Sequence, residues 1–553
     1  MPVITFDYQD YVALLGYEIS KEELLKKLPM IGADLDKVEG DTISIEFFPD
    51  RPDLASVEGI ARASRAFFGF EPGMKQYPLQ PSDIILHVDP SVKEVRPYIA
   101  TALVRNVKMT DELIASLMDM QEKLHFGIGR NRKKVAIGVH NYEPVQPPFT
   151  YKAVDPDGVE FVPLAKVESM TLTEILHQHE KGVAYAHLLE EYKRHPLIVD
   201  VNNNVLSYPP IINGCLTEVT PFTKDLFIDV TGTDKKAIHH TINIITTALA
   251  ERGGRIETTT VKDGKETFTS PNLTPPVRDL SVGYVNKVLG THLGSNDIIT
   301  CLEKMEYSAT SLSSGILAVS VPPWRSDILH EIDLVEDVAV GYGFDQFAPG
   351  FPSALTFGKT LPLQHLHDAL RTIMIGLGFN EVTTFALSNE RDEFTRLGLD
   401  HGPRVELFNP IGEDISCVRV GLLSSLLKIL NENRHHSLSQ QIFEVGVVVD
   451  EQFTNCYHLA GVKIAAKAHF TECKSLVEAV LRDSGTKSYH ITEKHHPAFV
   501  EGRCARVMVK DQELGFFGEL HPRTIRSFNL EYPIIAFDLQ VQGLGQPHMA
   551  EDQ

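Results

Sequence analysis

The chain has 553 residues, 43% of them hydrophobic and 23% charged, which is enough material for several packed cores and roughly three to five domains. Its formal net charge of -22 excludes diffuse binding to nucleic acid, because a mainly negative surface repels a polyanion, so any RNA contact has to be local. No apolar run reaches the roughly 18 to 20 residues of a membrane span, and Met1-Pro2-Val3-Ile4-Thr5 lacks the charged start and apolar core of a signal segment. A cytoplasmic protein with reduced thiols is expected, since Cys215, Cys301, Cys417, Cys456, Cys473 and Cys504 never sit at the close spacing of a zinc knuckle or dithiol motif.

Residues from about 15 to 70 align without a gap to residues from about 289 to 344. Leu15-Gly16 meets Leu289-Gly290. A helix follows in each copy, started by a Ser20/Glu23 capping box in the first and by Asn296 in the second. Alternating Ile43, Ile45, Phe47 and Leu317, Val319, Val321 predict a hairpin in each. Pro49, Arg51 and Asp53 then correspond to Pro323, Arg325 and Asp327, ahead of a second helix. The repeated unit reads as helix, hairpin, helix.

Between the copies, strand-like runs (Ile99 to Val104, Val135 to Val139, Leu226 to Val230) mix with helical ones (Asp111 to Leu124, Ala237 to Glu251), which predicts an α+β domain with Pro- and Gly-rich edges. A polar cluster is concentrated at Ser207-Tyr208-Pro209-Pro210, Asn213-Gly214 and Asp229 to Thr233. It suits a hydrolytic pocket, or simply the cap of a strand-to-helix turn. Gly127-Ile128-Gly129-Arg130-Asn131-Arg132 lacks the third glycine of a dinucleotide loop. With Lys133 and Lys134 it forms the most concentrated basic patch, either a local RNA contact or a solvated loop. The pairs His239-His240, His435-His436 and His495-His496 lack the spacing that binds zinc on one helix face.

In the second copy, Asp333, Glu336 and Asp337 fall on one helical face at i, i+3 and i+4, with Asp327 just before them, while Ile328, Ile332, Val335, Ala339 and Tyr342 form the buried stripe. Oxygen-only donors suit magnesium, although acids near a helix start also complement its dipole. The first copy has Asp53, Gly59, Arg62 and Ala63 at the matching positions, so packing does not demand the acids. After Pro349 to Pro352 a last domain is expected. It holds a helix Leu363 to Ile375, a strand Val382 to Leu387, strands at Gln441 to Val449, Leu459 to Ile464, Ala505 to Val509 and Ile534 to Leu539, and a helix Lys474 to Leu481.

Phe47 to Leu54 (FFPDRPDL), Phe227 to Asp234 (FIDVTGTD), Pro323-Trp324-Arg325-Ser326-Asp327, Asn409-Pro410 and Phe517 to Pro522 (FGELHP) together resemble the β subunit of archaeal/eukaryotic-type phenylalanyl-tRNA synthetases, in the same order and over nearly the whole chain. The resemblance implies an α+β multidomain fold. Duplicated helix-hairpin-helix domains (1–80, B1-like, and 271–347, B5) would flank an editing domain (B3/B4, 81–270), followed by an inactive class II synthetase-like antiparallel sheet domain (350–545). It implies the short architecture, without an inserted OB domain near residue 40 or a C-terminal anticodon-binding extension.

The same resemblance puts magnesium ligands at Asp327, Asp333, Glu336 and Asp337. It puts an editing pocket near Leu197, Ser207, Asn213, Asp229 and Thr231, where Asp229 or Ser207 would read a phenol hydroxyl and Thr231 would orient water. The implied partners are a catalytic α subunit in an α2β2 heterotetramer, which binds most of the ATP and phenylalanine, and tRNA(Phe), whose mischarged tyrosyl form the β subunit would hydrolyse. A second site is needed because an apolar pocket discriminates weakly against an isostere that adds a hydroxyl. Class II enzymes hold ATP phosphates with arginines, and the comparable segments Gln441 to Gly446 and Gly515 to Leu520 supply none. The apolar run Leu422 to Leu430 is then either a core helix or an interface with the α subunit.

Overall fold

The computed structural model describes residues 3–313, 315–351 and 356–544. Met1, Pro2, Pro352 and Gly545, on which parts of the expectations above rest, lie outside the described residues. The chain divides into two compact units, Met1–Gly350 and Phe351–Gln553. The segments 1–80, 81–270 and 271–347 all fall within the first.

The repeat begins one strand and one helix earlier than its sequence pattern suggests. Val3–Asp7 and Tyr8–Leu15 match Val277–Ser281 and Val282–Leu289. Each leading strand pairs antiparallel with the second strand of the hairpin, Thr42–Phe47 or Ile316–Ser320, giving two three-stranded sheets of the same order. Gly16 and Gly290 end the matching helices with φ of 74° and 69°, the left-handed conformation that glycine adopts without a Cβ penalty. Ser20 accepts from the Glu23 amide, the first half of the expected capping box, while the Glu23 carboxylate pairs with Lys27 at 2.6 Å. Asn296 does not cap its helix. That helix, Ser295–Lys304, starts at Gly294, whose amide donates to the Asp297 carboxylate at 2.9 Å, and Asn296 lies within the first turn.

Between the copies stands a ten-stranded sheet. Its main path runs Ile212–Asn213, Val205–Tyr208, His195–Val199, Phe149–Val154, Gln80–Val88, Arg255–Asp263, Tyr98–Arg105, Leu226–Gly232, Val135–Asn141, and Glu266–Ser270 pairs with Arg255–Asp263. Helices Asp111–Phe126 and Lys235–Glu251 cover one face, where Ile238, Ile242, Ile245 and Leu249 pack on Ala100, Ala102, Ile228 and Val230. Each such aliphatic side chain removed from water is worth about 1.5 to 3 kcal/mol. The opposite face buries Leu103, Phe149, Tyr151 and Phe227. The two ends of the sheet meet where Asn213 Nδ2 donates to the Val139 carbonyl at 3.3 Å.

The second unit is a seven-stranded sheet in the order Asn380–Glu381, Gln440–Val449, Asn455–Ile464, Ile534–Gln540, Gln512–Leu520, Phe499–Val509, His490–Glu493. Only the first pair is parallel. The strand expected at Val382 to Leu387 is reduced to Asn380–Glu381 and Leu387–Ser388, because the chain leaves the sheet after Val382 and the buried Arg419 binds Thr384 at 2.7 Å. Helix Leu423–Glu432 buries Leu423, Leu426, Leu427 and Leu430 against Val462, Ile464 and Ala536 of the same chain. Those four leucines pack as a core helix would. Among the described residues no helix is long and apolar enough to cross a membrane.

Candidate functional site

Strand Leu226–Gly232 is buried along its whole length, yet its alternation places two polar side chains, Asp229 and Thr231, on the face opposite Ile228 and Val230. With Ser207, Asn213 and Thr217 they line a cavity of about 420 Å³, whose apolar wall includes Met118, Ile137 and Val139. Ser207 Oγ lies 3.3 Å from Asn213 Oδ1. Four of the five expected pocket residues therefore share one cavity. Leu197 does not join them: it is fully buried among Leu172, Ile175 and Tyr208.

Three residues missed at the sequence level shape this cavity. His140 is fully buried, with Nε2 at 2.7 Å from Asp229 Oδ2 and Nδ1 at 2.8 Å from Thr217 Oγ1. Gly138 lies opposite Asp229 in the strand register, and a Cβ there would overlap Asp229 Oδ2 and approach His140 Nε2 to 2.6 Å. A glycine inside a buried strand marks such a close approach, and that signal was available in Val135 to Asn141. Arg96, also buried, donates to Thr231 Oγ1 at 2.9 Å and to the Thr231 carbonyl at 2.8 Å. Burial pulls its guanidinium down to about 10, against Tyr151 and Asp229, so it remains a cation at neutral pH.

The acids of the second copy are arranged differently. Helix Glu331–Tyr342 carries Asp333, Glu336 and Asp337, but its buried positions include Leu334, Val335, Val338 and Ala339, while Ile332 is exposed and Asp337 is buried. Of the expected stripe, Ile328, Val335 and Ala339 are buried and Tyr342 is half-buried, while Ile332 faces outward. Asp333 Oδ2 accepts from the Leu329 and His330 amides, each at 2.7 Å. Arg325 binds both Asp327 (2.6 Å) and Asp337 (2.7 Å), and the Tyr307 hydroxyl donates to Asp337. Partial burial, then the carboxylates of Asp337, Asp50, Asp333 and Asp327, push Glu336 above its ordinary range. Among the described residues no three His, Cys, Asp or Glu side chains converge as a formed metal cage.

In the second unit a cavity of about 740 Å³ opens on the sheet. Its charged lining is Glu393, Asp400, Asp450, Glu451, Glu513 and Asp538, with no arginine or lysine among the described lining residues. The buried Arg419 is committed to Glu444 at 2.9 Å. A triphosphate placed there would meet negative charge.

Comparison with known proteins gives this architecture its class. Residues 350–541 match the family model described as the phenylalanyl tRNA synthetase beta chain CLM domain, and residues 278–344 match the tRNA synthetase B5 domain. The chain is 45% identical over 546 residues to the phenylalanine–tRNA ligase β subunit of Methanosarcina acetivorans, covering 98% of this chain and 99% of that protein. It is 43% identical to the Archaeoglobus fulgidus β subunit, covering 98% of each. An N-terminal fragment of the Pyrococcus horikoshii phenylalanyl-tRNA synthetase β subunit superposes with a TM-score of 0.60 at 36% identity, covering 62% of this chain and 99% of the fragment. The chain belongs to the phenylalanine–tRNA ligase β-subunit family.

Proposed function

We propose that this chain is the non-activating partner in a cytoplasmic phenylalanine–tRNA ligase. It assembles with a catalytic α subunit, two copies of each, binds tRNA(Phe), and hydrolyses the ester of tRNA mischarged with tyrosine. ATP and phenylalanine are bound mainly by the α subunit. The observation that carries the reading is a carboxylate, Asp229, held by His140 at the wall of an otherwise largely apolar cavity.

His140 occupies Asp229 Oδ2 and leaves Oδ1 to accept a phenol hydroxyl, while Ile137, Val139 and Met118 surround the ring. Phenylalanine would leave Oδ1 of that buried carboxylate unpaired, which selects for tyrosine far more strongly than an apolar pocket can. Thr231 accepts from Arg96, so its own hydroxyl proton is free to orient the attacking water, and Ser207 and Asn213 bind the substrate's polar end. Replacing Asp229 with alanine should abolish the preference for tyrosyl over phenylalanyl ester. Unchanged hydrolysis and unchanged selectivity would refute the assignment.

The acids of the second copy fit magnesium in chemistry: they are hard oxygen donors, Glu336 feels uncompensated negative charge, and Asp333 and Asp337 each use only Oδ2 in the bonds described. Asp327, Asp333, Glu336 and Asp337 would hold the ion. Bound there, it would neutralise the face and stiffen the fold. The acidic cavity of the second unit favours a scaffold role for the synthetase-like sheet.

A further inference from the structure

The loop 127–134 leads directly into the edge strand beside the Asp229 cavity, and its backbone is unusual. Arg130, Asn131 and Arg132 are consecutive residues with φ of 49°, 53° and 66°, a left-handed turn made without glycine. Residues with a Cβ hold that conformation only where the surroundings impose it. Here they do. Arg132 is buried, donates to the Pro210 and Ile211 carbonyls at 3.2 and 2.9 Å, and stacks over Tyr185 at 4.3 Å. Arg96, which binds Thr231 on the cavity wall, also donates to the Lys133 carbonyl at 3.3 Å.

The turn is thus pinned to the cavity from both sides, and what it presents outward is charge. Arg130 and Lys133 are exposed and, among the described residues, make no side-chain hydrogen bond or ion pair, whereas Lys134 is taken by Asp234 and Lys181 by Glu122. Two unneutralised cations on a rigid turn are a specific feature in a chain whose formal net charge is -22.

We propose that Arg130 and Lys133 form a phosphate clamp that seats the backbone of a single-stranded RNA end as its terminal ester enters the Asp229 cavity. This rests on the hydrolytic reading of that cavity and adds the element that delivers the substrate. A phosphodiester is the fitting partner because point cations on a turn anchored to the cavity wall position a backbone without reading its bases.

The test uses the full chain with its coexpressed α subunit, carrying Arg130→Gln, Lys133→Gln or both. Each lost contact should raise KM for Tyr-tRNA about fivefold at 0.1 M salt, with kcat unchanged. Hydrolysis of tyrosyl-adenosine, which lacks phosphates, should not change. Affinity for an uncharged RNA hairpin with a single-stranded 3′ end should show a salt slope shallower by about 1.4 in the double variant. An unaltered KM and slope would overturn the clamp, as would equal losses on both esters. Wild-type protein that hydrolyses neither ester, but whose salt slope falls in the double variant, would refute the hydrolytic reading and leave the clamp standing.

Discussion

His140 and Asp229 share a 2.7 Å contact across neighbouring strands, fully buried, with Thr217 on the far side of the imidazole. The ring fixes which carboxylate oxygen faces the cavity. Replacing His140 with alanine should therefore lower tyrosyl-ester hydrolysis and shrink the tyrosine preference, while His140→Gln, which keeps a donor, should retain more of both. Hydrolysis kinetics on the two esters separate these outcomes.

Gly138 makes the pair possible. Alanine there would force Asp229 and His140 apart, so Gly138→Ala should cost about 1 to 3 kcal/mol of stability by overpacking and abolish hydrolysis. Denaturant titration and the ester assay together check it.

Arg62 sits where the second copy has Glu336. It binds Glu306 at 2.9 Å, approaches Asp53, and stacks over Trp324 at 4.4 Å, all buried, which ties the first copy to the second. Arg62→Ala would leave the buried Glu306 without its close cation, while Asp53 keeps Arg51 at 2.8 Å, and should destabilise the first unit by about 3 kcal/mol. A calorimetric scan showing an unchanged transition would contradict this.

His458 lies 2.6 Å from Asp538 in the second unit. Burial opposes charge on the ring, but Asp538 overcomes it and raises the imidazole above its ordinary 6.5. The folded state thus holds this proton more tightly than the unfolded chain. Its stabilisation is complete below 6.5 and is lost as pH rises through the raised value. Thermal melts should show Tm falling above neutral pH, with a flatter profile in His458→Gln.

Magnesium should raise the Tm of the wild-type protein and leave Glu336→Ala unaffected, because only the former offers the full set of oxygens. Equal shifts in both would remove Glu336 from the site.

Much of this was legible in the sequence, for identifiable reasons. The ungapped repeat exposed both copies, but their leading strands, Val3–Asp7 and Val277–Ser281, lie outside the recognisable match and carry only weak alternation. Asp229 and Thr231 stood out as polar residues in a strand with no solvent-facing side. Leu197 could not be separated from them, because which face of His195–Val199 meets the cavity depends on strand order, a tertiary property. His140 and Arg96 lie far from Asp229 in sequence and reach it only through pairing of Leu226–Gly232 with its two neighbours. Arg325's double attachment to Asp327 and Asp337 was equally invisible, since spacing alone does not say which acids already have a cation.

The most direct measurement compares deacylation of Tyr-tRNA(Phe) and Phe-tRNA(Phe) by the assembled enzyme, at equal concentrations and without ATP. The account predicts that the tyrosyl ester is hydrolysed faster by about two orders of magnitude or more, as expected when a buried acceptor is left unpaired by the wrong substrate. Equal rates for the two esters, or no hydrolysis of either, would contradict it.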